Sequence, residues 1–335
     1  MHRQWLVNRP NCDAPAENLP NHPAFDDWRR YLGEITPGTG DYEHFVEEAF
    51  RLHASIRSFG ADNVWIHHQW GEHRGSAFHV VTGEKRSAEE LKLDGAGIYG
   101  AQPNTSMSHQ IMTDPADDYA QLAAFQRNAG RYVEVGGFCS ENEHDFERVF
   151  ERMYDRGIRD VILKRRNRKY PLIEVDLRKW KSDGNVLHAV GDEDASWALI
   201  NDEGASSAYL VQERVTMRYE YRSFVIGNKL VTGAGCVGEN TPLNNSGNAF
   251  DDTVQEFRSS STPERLPEVR DALLAFSRKV AKEIAAEAPE IDAYTLDTAL
   301  DEHDHPLVIE LNGHLNAGFY ASQPQCITDA LRDLQ

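Results

Sequence analysis

Apolar and polar residues alternate along this chain in two styles, irregular over the first 130 positions and regular after them. In the irregular part, RQWLV, NVWIHH and AFHVVTG are short apolar runs that predict strands. Tyr42–Ser58 and Asp117–Asn128 carry apolar residues at spacings near three and four, which predicts helices. Pro, His, Asn and Gly crowd the intervals, so a loop-rich α/β lobe is expected. GAGIYGAQPNTSMSHQ contains glycines but follows no strand pattern, and no phosphate loop is expected there. From residue 131 the pattern sharpens. YVEVGGF predicts a strand, Asn142–Asp155 a helix, DVILKRR a strand ending in basic residues, and YLVQERVTM another strand. YEYRSFVI and KLVTGAG flank Gly-Asn, the signature of a two-residue primed turn in a hairpin. Pro267–Glu287 is the strongest helical pattern, with Val269, Leu273, Phe276, Val280 and Ile284 on one face. AYTLDTAL and PLVIELN form a second hairpin. Helices alternating with mostly antiparallel hairpins predict an α+β architecture.

The second hairpin concentrates chemistry. Pairing its strands about the centre of the Asp301–Pro306 turn puts Asp297 opposite Glu310 and Thr295 opposite Asn312, all on one face, with Leu296, Leu307, Ile309 and Leu311 on the other. Two opposed carboxylates repel and call for a cation, and Asp, Glu and Asn oxygens are hard donors suited to Mg²⁺ or Mn²⁺. The alternative is an ordinary hairpin whose polar side meets solvent, since a one-residue slip separates the two carboxylates. The Gly227-Asn228 hairpin, paired likewise, puts Arg222 opposite Gly233 and Glu220 opposite Gly235, leaving room over the glycines for a ligand or, more plainly, an exposed ion pair. Lys164 ends the apolar run VIL, where its ammonium can meet a phosphate.

Composition and charge narrow the partners. The 335 residues carry 35 basic and 54 acidic side chains, a net charge of −19, and no general basic footprint for nucleic acid. The one basic cluster is local: Lys164, Arg165, Arg166, Arg168 and Lys169. It is either a solvated charge run or the seat of an anion. No run approaches the ~20 apolar residues of a membrane helix, and the first residues lack a secretory pattern. Cys12, Cys139, Cys236 and Cys326 lie far apart without a C-x-x-C, so a reduced, cytoplasmic protein is expected. His67, His68 and His73 lack an acidic or cysteine companion at strand or helix spacing and predict a surface histidine cluster.

Taken in order, these pieces form a pattern. Lys164 on a strand, Gln212-Glu213 ending another, Glu220 and Arg222 opening a hairpin, a helix, then Asp297 and Glu310-x-Asn312 resemble the ATP-grasp superfamily over about residues 140–322. The hinge VQERV and the block ELNGHLNAGFYA are most similar to short-form members of the kind found in phage and bacterial genomes. The resemblance implies two α+β subdomains (131–210 and 211–335) clamping ATP, preceded by a lobe at 1–130 that holds the acceptor. It implies Lys164 on the phosphates, backbone groups of Gln212, Glu213, Arg214 and Val215 on adenine, and Glu213 or Glu220 on the ribose. Arg222 resembles the arginine that steadies the transferring phosphoryl, and Asp297, Glu310 and Asn312 match the ligands of two Mg²⁺ ions.

Two features depart from the family pattern. RRNRKYPLIEVD replaces the usual glycine-rich loop, so basic side chains would do there what backbone amides do elsewhere. No dinucleotide-type N-terminal domain is evident. The activity implied is carboxylate–amine ligation through an acyl phosphate, with small-molecule or peptide substrates and neither nucleic acid nor membrane as partner. Phosphotransfer to a small molecule, or a binding module regulated by nucleotide, are the alternatives on the same residues.

Overall fold

The computed structural model describes residues 3–9, 23–32, 42–68, 73–99, 119–138, 145–165, 172–202, 209–235, 266–314, 317–319 and 322–334. Three sheets organise them, and the architecture is α+β. The first sheet, in the order β4-β3-β2-β1-β5, is built from β1 (Trp5–Arg9), β2 (Val64–His68), β3 (Ser76–His79), β4 (Lys85–Ser87) and β5 (Gly97–Tyr99). β1 runs parallel to β2 and β5, and helices α1 (Pro23–Leu32), α2 (Tyr42–Phe59) and α3 (Ala88–Leu93) complete this lobe. The predicted strand AFHVVTG stops at His79, because Gly83 at φ 69° turns the chain back into β4 with His79 N donating to Glu84 O. A short strand does occur within GAGIYG, as β5, and the remainder of that glycine-containing segment lies outside the described residues.

The second sheet has the order β6-β9-β7-β8 and is antiparallel throughout. It follows α4 (Ala123–Asn128) and contains β6 (Val133–Gly136), α5 (Phe146–Asp155), β7 (Asp160–Arg165), β8 (Leu172–Asp176), α6 (Leu177–Asp183), α7 (Val186–Ala189), α8 (Glu193–Asp202) and β9 (Tyr209–Glu213). α4 begins six residues later than its apolar spacing suggests. Its first free amides, Ala123 N and Ala124 N, donate to the Glu287 carboxylate from a distant helix, and that side chain sets the start. One face of this sheet packs Val161, Leu163, Ile173 and Val211 against Phe146, Phe150 and Trp180.

The third sheet has the order β11-β10-β12-β13 and is formed by β10 (Arg218–Ile226), β11 (Lys229–Gly235), β12 (Ala293–Leu300) and β13 (Pro306–Gly313). Helix α9 (Pro267–Glu287) spans the range its periodicity predicts, and it buries Leu273, Val280, Ala281 and Ile284 on that sheet. Helix α10 (Pro324–Asp333) packs on α2, joining Ile327 and Leu331 to a core that also holds Trp5, Leu52, Phe59, Phe224 and Phe319. Strands from the first and third sheets thus share one core. Gly227 and Asn228 both sit at positive φ, 58° and 60°, so the primed turn read from Gly-Asn is present.

Two bulges correct the expected hairpin registers. In the β10–β11 pair the register shifts between Phe224 and Val225, so Arg222 faces Ala234 and Gly233 lies opposite Ser223. The space at Gly233 is filled by this protein's own Tyr221, whose ring lies 2.6 Å from where a Cβ would stand. The glycines therefore make no room for a ligand. In the β12–β13 pair the shift falls between Asp297 and Thr298, with Asp297 opposite Glu310 and Thr298 opposite Val308. Val308, rather than Leu307 or Ile309, joins Leu296 and Leu311 in the core.

Candidate functional site

Three neighbouring strands carry the site as one row. Arg222 on β10 pairs with Asp297 on β12, which pairs in turn with Glu310 on β13. Directly paired residues on adjacent strands share a face, so their side chains meet. Arg222 donates from Nε to Asp297 Oδ1 at 2.8 Å and from Nη2 to Asp297 Oδ2 at 2.7 Å, a two-pronged pair with Asp297 fully buried. Its Nη1 reaches Gly318 O at 3.3 Å. Asn312, one turn of the pleat further along β13, donates to Glu310 Oε1 at 2.9 Å and lies 3.4 Å from Asp297 Oδ2.

Lys164 closes the arrangement from the opposite sheet. It lies on the same face of β7 as Ile162, and its ammonium pairs with Glu310. The two opposed carboxylates therefore each hold a cation of their own, Arg222 on Asp297 and Lys164 on Glu310. The expected repulsion is compensated within the chain. Arg165, the next residue, turns to the other face of β7, where it is buried with its Nε on Tyr209 Oη, so it is not part of a solvated charge run. Arg166, Arg168 and Lys169 lie outside the described residues.

The hinge is narrower than its motif suggests. β9 lies between β6 and β7, so Gln212 is in register with Val133 on one side and Ile162 on the other. Glu213 N donates to Tyr132 O at 2.8 Å and Arg214 N to Asp160 O at 3.0 Å, which commits two of the four hinge amides to the sheet. Val215 lies beyond the end of β9, and its amide is the one positioned past the ladder. Glu213 also accepts from Tyr132 N through its side chain, and the exposed Arg214 side chain pairs with Glu174. Glu220 follows Tyr219, which stands at φ 57° where pairing with β12 shifts between Arg218 and Tyr221.

Arg131 had no signal in the sequence, as a lone arginine before a strand. In the fold its guanidinium donates to the Gln212 side chain, Nη2 at 2.6 Å and Nε at 3.2 Å, and to the carbonyls of Ala129, Val308 and Ile309. Burial pulls its pKa down to about 10, which leaves it charged at neutral pH. The histidines differ from the expected surface cluster. His67 is held neutral by burial, with its pKa lowered to about 4, while His68 and His73 meet Phe78 edge-on.

The donor set can be tested against a metal. Among the described residues no group of three or more His, Cys, Asp or Glu gathers around one point. Two carboxylates and a carboxamide do gather. A hard, six-coordinate ion such as Mg²⁺ typically takes one or two carboxylates and completes its shell with phosphate oxygens and water. The residues fit an ion that arrives with a phosphate.

Residues 179–330 match a protein family described as an ATP-grasp domain, the second family of its clade. Among solved structures the chain is similar to D-alanyl-alanine synthetase A from Vibrio cholerae, at 9% identity, TM-score 0.49 and coverage of 99% of this chain and 98% of that one. It is similar to macrocyclase MdnC from Microcystis aeruginosa at 11% identity, TM-score 0.43 and coverage of 99% and 98%. The ATP-grasp ligase PsnB gives 15% identity and TM-score 0.37, over 74% of this chain and 67% of that one. A comparison with curated proteins gave no match. No helix among the described residues is long and apolar enough to cross a membrane.

Proposed function

This chain carries an ATP-grasp domain, and from that premise we propose that it is an ATP-dependent ligase joining a carboxylate to an amine. In the proposed reaction a substrate carboxylate oxygen attacks the γ-phosphorus, the bond to the ADP oxygen breaks, and an acyl phosphate forms. An amine then attacks the acyl carbon, phosphate leaves, and the amine gives up a proton. The observation that carries the reading is the row of Arg222, Asp297 and Glu310 joined by Lys164 from the facing sheet. Two cations and two carboxylates at one point, drawn from two sheets, are what a triphosphate with its counter-ions needs.

Asp297, Glu310 and Asn312 would hold Mg²⁺, or Mn²⁺ in its place, and two such ions would neutralise charge on the transferring phosphoryl. The chain's own groups do the rest. Lys164 is placed to exchange Glu310 for a phosphate oxygen, and Arg222 presents a planar fork that suits phosphate as well as the carboxylate it now holds. Glu213 or Glu220 would accept from the ribose hydroxyls. Of the hinge, the Val215 amide and the carbonyls of Gln212 to Arg214 would meet adenine, since the Glu213 and Arg214 amides are committed to the sheet. Holding both substrates in line gives the reaction its entropic advantage. We assign acceptor recognition to the lobe at residues 1–130.

The test is an ADP-release screen over amino acids, short peptides and their pairwise mixtures, with Mg²⁺·ATP. Release that requires both a carboxylate and an amine supports the ligase. Release with a single hydroxyl compound, accompanied by a phosphorylated product, identifies a phosphotransferase instead.

A further inference from the structure

Nothing in the ATP-grasp pattern accounts for Arg131, the buried cation at the joint of the second and third sheets. Its guanidinium uses every donor it has: Nη1 on Ala129 O at 2.9 Å and Val308 O at 2.6 Å, Nη2 on Ile309 O at 2.7 Å and Gln212 Oε1 at 2.6 Å, and Nε on Gln212 Oε1 at 3.2 Å. Two of these partners, Val308 and Ile309, flank the place where the β12–β13 register shifts.

That shift decides where Glu310 points. From the turn as far as Thr298 and Val308 the two strands pair in one register, and beyond it they pair in the next. Continuing the turn-side register unbroken would put Ile309 opposite Asp297 and Glu310 opposite Leu296. A one-residue slip moves every side chain to the other face, so Glu310 would enter the core beside Leu296 and Leu311. The bulge lets Val308 stay in that core while Glu310 faces Asp297. A bulge also takes carbonyls out of the ladder, and a buried carbonyl needs a donor. Arg131 supplies it twice.

We propose that Arg131 is a positioning residue: it pins the β13 bulge that holds Glu310 on the Asp297 face, and it ties that bulge to Gln212 on the hinge strand. The proposal rests on the functional reading above for what Glu310 does, and on geometry alone for where Arg131 holds it. The nucleotide end and the metal end of the site are coupled through this one side chain. An arginine that merely filled the core would lower stability without changing the response to metal.

The experiment compares native protein with Arg131→Lys, which keeps the charge but loses the fork. Amide hydrogen exchange is followed peptide by peptide without nucleotide. ATP binding is measured by calorimetry across a Mg²⁺ titration. The expected result is exchange at least tenfold faster in residues 306–313 with the β1–β5 sheet unchanged. The Mg²⁺ concentration for half-maximal ATP binding should rise at least fivefold, with metal-free ATP affinity within twofold. Exchange and Mg²⁺ response equal to native, or exchange raised evenly across the chain, would overturn the proposal. Should Arg131→Lys fail to fold, Gln212→Met, which leaves the carbonyl contacts in place, is judged by the same two readouts. If native protein shows no Mg²⁺-dependent binding, the ligase reading falls, and the exchange pattern by itself decides the role of Arg131.

Discussion

Asp297→Asn and Glu310→Gln are the same chemical change at facing positions, and their stability costs should differ widely. Asp297 is 0% exposed and Arg222 6%, so the amide leaves a buried guanidinium without its counter-charge and with one acceptor fewer. Breaking a buried pair from one side costs about 3–5 kcal/mol. Glu310 and Lys164 remain 20% and 17% exposed, so water can take over part of each lost contact, and Glu310→Gln should cost about 1 kcal/mol. With a denaturant slope of roughly 2–3 kcal/mol/M, the Asp297→Asn midpoint should fall by about 1 M urea or more, against a few tenths for Glu310→Gln. The assay is urea unfolding of the metal-free protein followed by fluorescence, paired with ADP release under Mg²⁺·ATP, which should collapse in both variants. The double variant Arg222→Met/Asp297→Leu removes both buried charges and should recover most of the stability, because well-packed apolar groups replace such pairs at little cost. It should recover no turnover. An Asp297→Asn protein within 1 kcal/mol of native, or a double variant no more stable than the single one, would refute the view that the Arg222–Asp297 pair is sealed from water.

Lys164→Ala should slow steady-state ADP release by about one to two decades, from a charged contact worth roughly 1.5–3 kcal/mol, and Lys164→Arg should recover it only in part; native rates in both would remove Lys164 from the phosphates. Val215→Pro deletes the hinge amide that lies past the ladder and should weaken ATP binding at least tenfold by calorimetry, whereas Val215→Ala should leave it unchanged. His67 binds its proton near pH 4 when folded and near 6.5 when unfolded, so its contribution is fully present above pH 6.5 and is lost as pH falls toward 4. Urea midpoints from pH 7.5 to 4.5 should therefore fall less steeply for His67→Gln than for native protein, and parallel curves would contradict the burial of that imidazole.

Much of this was written locally. Helix α9 follows from one apolar stripe, the Gly227-Asn228 turn from two residues that tolerate positive φ, and the facing of Asp297 and Glu310 from the period-two pleat of a short hairpin. Those features depend on neighbours within some twenty residues, and periodicity reads them directly. The bulges beside Phe224 and Asp297 escaped the same reasoning. A shift of one residue alters no local propensity, and it is selected by what each face must bury, Val308 in the core and Glu310 outside it. The meeting of Lys164 with Glu310 needed two sheets brought face to face. The role of Arg131 depended on carbonyls from a strand far along the chain, and its pattern of five donors has no periodicity to betray it. Local spacing therefore determined which residues stand ready on each strand, while the packing of one sheet on another decided which of them touch. Burial is a property of the whole fold, and only burial gives a carbonyl, a carboxylate or a guanidinium its particular partner.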